Sequence, residues 1–80
     1  MAPSLRPLAE PRRVAVFASP EGVPRHVGGH LVEAVRDEWR IDDAWWTGAR
    51  VRRRYFEVVL DNGALVTVFC DGAGEWWSHR

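Results

Sequence analysis

Lysine and glutamine are absent from this chain of 80 residues, and cysteine, asparagine, isoleucine and tyrosine each occur once. A lone cysteine, Cys70, permits no internal disulfide, so the fold must rest on its core, and a reducing compartment is expected. Without lysine, all eleven basic residues are arginine; they balance eleven acidic residues to a formal net charge of zero. No overall field therefore draws the chain toward nucleic acid or a membrane, and any electrostatic function has to be local. The skew toward Ala, Val, Gly and Arg is the composition expected from a GC-rich bacterial genome. Long apolar runs are missing too: nothing approaches the roughly 20 residues that cross a bilayer. Leu5 and Leu8, parted by Pro7, do not make the apolar stretch of a secretory leader. A cytoplasmic protein with no membrane contact is the expectation.

Catalytic signatures are also lacking. The chain has no glycine-rich phosphate loop and no nucleophile elbow. His26, His30 and His79 stand away from thiolates and carboxylates at ligand spacing, so no metal is expected. Cys70 precedes Asp71, a neighbour of the wrong sign for a reactive thiolate, and reads as a small buried residue. Asp42-Asp43 reads as a solvated or capping pair rather than an acid and its base. The expectation is no enzyme, no catalytic residue and no cofactor.

What the chain does have is tryptophan, five in all: Trp39, Trp45-Trp46 and Trp76-Trp77. Indole supplies apolar area to a core too small to be stable otherwise, or grips a partner from the surface. Residues 1–12, with Pro3, Pro7 and Pro11, read as a disordered tail, and 13–80 as a single small domain. Arg13 to Ala18 is rich in strand formers and ends in the turn cluster Ser19-Pro20-Glu21-Gly22; Val23 to Val27 can return as an edge strand. Over 30–41, Leu31, Val35 and Trp39 recur every four residues, which suits one face of a helix or of a strand. A long bent strand is the favoured reading because the remainder is β.

The clearest hairpin joins Arg52–Asp61 to Ala64–Cys70 through Asn62-Gly63, the preferred pair of a two-residue type I′ turn. That turn predicts Leu60 opposite Leu65, Phe56 opposite Phe69 and Arg54 opposite Asp71. A last strand holds Trp76 and Trp77, one ring to each face. The predicted fold is all-β, a five- to six-stranded antiparallel meander or half-open barrel. Its core candidates are Val14, Val16, Leu31, Val35, Trp39, Trp45, Phe56, Val58, Leu60, Leu65, Phe69 and Trp76. Trp46 and Trp77 are the tryptophans expected at the surface.

One local charge pattern stands out: Arg50-Val51-Arg52-Arg53-Arg54-Tyr55, just after Trp45-Trp46. Guanidinium groups beside aromatic rings are the means by which single-stranded nucleic acid is held, charge for phosphates and π-faces for bases. The same residues also suit an edge strand blunted by charge, its arginines paired with Asp42, Asp43 or Asp71. The candidate binding residues, for a protein partner or for nucleic acid, are Trp46, Arg50, Arg52, Arg54, Tyr55 and Trp77.

Taken in order, Trp39-Arg40-Ile41-Asp42-Asp43-Ala44-Trp45-Trp46, then Arg53-Arg54-Tyr55-Phe56-Glu57-Val58, then Gly74-Glu75-Trp76-Trp77, resemble a family of short proteins of unassigned function from actinobacteria and some thermophiles. The same order is similar to the C-terminal segment of ImuB-type mutagenesis proteins, which are polymerase-like and related to Y-family DNA polymerases. The resemblance spans about residues 13–80 and is strongest in the second half; the 80 residues include no polymerase-like body. It implies a non-catalytic module that makes protein contacts in a translesion-synthesis assembly. Three readings follow: a protein-interaction module accessory to translesion synthesis and the DNA-damage response, a single-stranded nucleic-acid binder, and a self-associating structural protein or homodimer.

Overall fold

Strand-forming residues run from Arg50 to Leu60 and again from Leu65 to Asp71, and the rest of the chain is laid down against this pair. The computed structural model describes residues 11–44 and 50–79, as seven strands and, among those residues, no helix. They are β1 (Arg12–Arg13), β2 (Val16–Ala18), β3 (Pro24–Val27), β4 (His30–Ala44), β5 (Arg50–Leu60), β6 (Leu65–Asp71) and β7 (Trp76–His79). All neighbours are antiparallel in the order β1-β7-β6-β5-β4-β3-β2. From β2 to β7 this is a meander. Only β1 is out of sequence, on the far side of β7.

β1 and β2 are parted by Val14 and Ala15 alone. The Val14 N–H donates to the Trp76 carbonyl (3.2 Å) and the Gly28 N–H to the Ala15 carbonyl (2.8 Å). One bent run of chain is thus hydrogen-bonded to both ends of the sheet, which must curl to allow it. The expected all-β half-barrel is what forms. Residues 12–18 supply a short strand to each end, which brings the described residues to seven strands; the first starts at Arg12, the last residue of the predicted tail.

The concave face holds the core. Phe56, Val58, Leu60, Val66 and Val68 are buried with Val27, and Val14, Val16, Val23, Val32, Ala64 and Trp76 pack around them. Phe56, Val58 and Val68 are fully buried, each stabilising the fold by about 1.5–3 kcal/mol through area removed from water.

The hairpin register differs from the predicted one by a residue. The turn has three residues, Asp61 to Gly63: the Leu60 N–H donates to the Ala64 carbonyl and the Gly63 N–H to the Leu60 carbonyl, both at 2.9 Å. Only Gly63 has a positive φ (87°), as in a type I turn closed by a glycine bulge. Asn62 uses its side-chain Oδ1 to accept the Ala64 N–H (3.0 Å), which holds the turn without a left-handed asparagine. The pairs are therefore Phe56 with Val68, Tyr55 with Phe69, Arg54 with Cys70 and Arg53 with Asp71. Val66 and Val68 face the core, Leu65 is exposed, and Phe69 is buried on the convex face.

β4 is a strand, but Leu31, Val35 and Trp39 do not line its core face. Two bulges, between Val32 and Ala34 and between Val35 and Asp37, each add a residue relative to β5. They shift the alternation, so Val35 lies opposite core residue Val58 while Trp39 lies opposite convex-face residue Tyr55. All three predicted core residues are exposed; past Leu31, no described strand pairs with the outer edge of β4 to cover Val35 or Trp39. Trp45 and Trp46 lie outside the described residues.

Candidate aromatic and arginine surface

Alternation along β5 sends Arg53, Tyr55 and Glu57 to the convex face and Arg52, Arg54 and Phe56 to the concave one. The convex face carries a row of rings in lateral register: Trp39 on β4, Tyr55 on β5, Phe69 on β6 and Trp77 on β7, ending at Arg13 on β1. Adjacent strands are about 4.8 Å apart, close to the spacing of stacked rings. Accordingly Trp39 and Tyr55 stack at 5.3 Å and 7°, Tyr55 and Phe69 lie 4.9 Å apart at 33°, and Phe69 and Trp77 stack at 6.4 Å and 16°. His79 adds a ring stacked with Tyr55 at 6.1 Å and 5.1 Å from Phe69. With their faces turned to one another, Tyr55 and Phe69 are buried although they stand on the outside of the sheet.

The ends and flanks of the row are held by charge. The Arg13 guanidinium lies 5.4 Å from the Trp77 ring centre and 3.4 Å from the Glu75 carboxylate. Arg53 lies 4.7 Å from the centre of Phe69 and donates to the Tyr55 hydroxyl at 3.1 Å. Asp71 fixes Trp77 by accepting its indole N–H (3.0 Å), while its other oxygen accepts the Ala73 and Glu75 N–H groups at 2.9 Å. These bonds, the Glu75 N–H first and the indole next, hold the Asp71 carboxyl below the usual aspartate range. Pro11, Arg53, Phe69, Asp71 and Trp77 line a hollow of about 340 Å³ beside the row.

The concave arginines are engaged differently. Arg54 reaches across the mouth of the half-barrel, with Nε 2.7 Å from Glu38, Nη1 donating to the Glu21 carbonyl at 2.9 Å, and its guanidinium 4.9 Å from the centre of Phe56. A Cβ on Gly22 would come within 2.8 Å of Arg54 Nη1, and Gly22 has φ +86°; glycine lets the β2–β3 turn close over the guanidinium. Arg52 lies 3.9 Å from Asp42. A cleft of about 460 Å³ opens here, with Arg40, Arg52, Arg54, Cys70 and Trp76 among its walls. Burial, then the charge of Asp71, raises the Cys70 thiol above its ordinary value, leaving little thiolate at neutral pH.

The predicted binding residues are therefore divided between two faces. Tyr55 and Trp77 belong to the convex row, Arg52 and Arg54 to the concave mouth. Arg50 pairs with Ala44 along the backbone, but its side chain, like Trp46, lies outside the described residues. As expected for the last strand, Trp76 packs on the core and Trp77 faces the other way, half-buried, beside an arginine. That arginine, Arg53, was not among the candidates, nor were Arg13, Trp39, Phe69 and Asp71. Alternation already separates Arg53 from Arg52 and Arg54; joining it to Phe69 and Trp77 requires the correct turn length. Comparison with known protein families, curated proteins and solved structures gives no match to this chain.

Proposed function

We propose that this domain is a non-enzymatic protein-interaction module, accessory to translesion DNA synthesis. The observation that carries the reading is the state of Trp77. Its ring is fixed by Asp71, backed by Phe69 and covered by Arg13, yet remains partly exposed beside a hollow that mixes the apolar Pro11 and Phe69 with Arg53 and Asp71. A rigid indole loses little freedom on binding, and such anchors dominate the affinity of protein interfaces. Arg53 and Asp71 put one charge of each sign at the rim, matching a partner segment that is apolar at its centre and polar at its margins. The DNA-damage setting comes from the resemblance to ImuB-type proteins.

Nucleic acid suits this surface less well. Arg13, Arg52 and Arg54 each pair with a carboxylate and Arg53 is spent on two rings, which leaves these four little charge for phosphates, although Arg40 in the cleft wall has no ion-pair partner among the described residues. The rings also stack on one another, so no row of free π-faces is offered to bases. Titration calorimetry against a purified polymerase-like mutagenesis protein tests the proposal. Binding should be detected, and Trp77→Ala should weaken it at least tenfold with the fold retained by circular dichroism. Tight binding of an oligothymidylate that falls steeply with salt, alongside no binding of the protein, would replace this reading with the nucleic-acid one.

A further inference from the structure

The aromatic row ends in two ways. At β7, Trp77 is covered by Arg13 from the adjoining strand. At β4 no such cover exists among the described residues: β3 pairs with β4 only at His30 and Leu31, and beyond them β4 has β5 on one side alone. From Glu33 through Arg40 every residue is exposed, and Trp39 keeps 38% of its surface in solvent. An open strand edge of this length is a template for another strand.

We propose that a second copy of this chain pairs with this edge, antiparallel, with Trp39 opposite Trp39 of the second copy. Charge order along the edge selects that register. Centring on Trp39 sets Glu38 against Arg40 and Arg36 against Asp42, each twice by symmetry, and Asp37 against Ile41; no like charges meet. Centring on Glu38 instead puts Glu38 against Glu38 and Arg36 against Arg40. Centring on Arg40 puts Arg40 against itself and Glu38 against Asp42. Asp37 at the centre faces its own copy, and Ile41 at the centre keeps half as many opposite pairs and sets Trp39 against Asp43. Opposite charges across a ladder stabilise it and like charges oppose it.

Charged side chains and bulges guard an edge against indiscriminate pairing; the mixed signs here block most registers and admit one. Glu38 and Asp42 already meet Arg54 (2.7 Å) and Arg52 (3.9 Å), but a carboxylate has acceptor sites for a second guanidinium. Arg36 and Arg40 have no ion-pair partner among the described residues and bring the new donors. The bulge between Val35 and Asp37 ends the regular ladder and confines the pairing to about residues 36–42. Trp39 meeting Trp39 prolongs the row from Trp77 of one copy to Trp77 of the other. A two-fold axis normal to the sheet leaves both convex faces on the same side. Two copies of the Trp77 hollow then face one way, and a partner with two matching segments gains avidity. This pairing does not depend on what Trp77 binds.

Analytical ultracentrifugation over two decades of concentration, with R40E and E38R, tests the proposal. The wild type should dimerise reversibly. Each variant alone should self-associate at least tenfold more weakly, because glutamate then faces glutamate, or arginine faces arginine. An equimolar mixture should recover the dimer, since the two sequences now complement each other. A wild type that stays monomeric throughout, variants as dimeric as the wild type, or a mixture no tighter than either variant alone would each overturn it. E38R removes the carboxylate that holds Arg54; should circular dichroism show it unfolded, R36E mixed with D42R applies the same criteria.

Discussion

Asp71 does more for this surface than any other single side chain. One oxygen caps the β6–β7 turn and the other anchors the indole of Trp77. Because those bonds favour the ionised form, its folded pKa lies below the ordinary value, which is about 3.9. The unfolded chain therefore binds the proton first as pH falls, so Asp71 stabilises the fold above about pH 4 and the contribution is lost as pH drops through the folded pKa. Asp61 acts in the same direction: hydrogen bonds from His30 and then the Leu31 N–H lower its pKa. Urea midpoints between about pH 2 and pH 6 should fall toward acid for the wild type. Asp71→Asn should start less stable and lose less over that window, with Asp61 supplying the remaining slope. A D71N slope equal to that of the wild type would refute the role given to Asp71. Asp71→Ala, which abandons three donors at once, should cost about 1–3 kcal/mol.

At the scale of the element, the hairpin shows how far sequence reasoning reaches. Both strands and the turn position are legible, because Asn62-Gly63 interrupts two runs of strand formers. The register is not. β6 is apolar in both phases, Leu65 and Phe69 on one face and Val66 and Val68 on the other, so alternation cannot choose the inward set. Turn length chooses, and Asn62 sets that length by taking the Ala64 N–H with its side chain. Val68→Ala should therefore cost about 2 kcal/mol, from two buried carbons and the space they leave, while Leu65→Ala should cost under ~1 kcal/mol. Reversed costs in chemical denaturation would restore the two-residue turn. Gly63→Val should cost more than ~1 kcal/mol in the same assay, since a β-branched residue resists the φ of 87° found there. β4 is legible as a strand, but its inward face is not, for a related reason. A period of four marks one face only while alternation is unbroken, and the two bulges break it; no turn residue at Glu33 or Arg36 announces them. The candidate site failed on alternation itself: Tyr55 is out of phase with Arg52 and Arg54 along β5, so the sheet puts Tyr55 and Trp77 on one side and the two arginines on the other.

Across the whole molecule, a single curled sheet separates two chemistries. The concave side is a dry core closed at its mouth by Arg54; the convex side is a second, thinner apolar layer of rings held in place by Arg13, Arg53 and Asp71. Trp39, Trp76 and Trp77 suit this arrangement, since a sheet with no second layer of strands or helices among the described residues can bury both faces only with side chains of large area. Trp76 and Trp77, adjacent in sequence, serve opposite sides of it. The curl itself depends on residues 12–18 reaching both ends of the sheet, and this has a mechanical consequence. β1 and β7 are antiparallel, with Arg12 beside Ser78 and Arg13 beside Trp77, so Pro11 and His79 leave the domain from the same end of that ladder. Tension applied through those two points loads its rungs one after another, as in a zip, rather than all at once in shear. Arg12 would part from Ser78 first, then Arg13 from Trp77, and Trp76 would follow out of its place against Phe56. Such a domain yields to pulling from its ends more readily than to any load spread across its long β4–β5 arm.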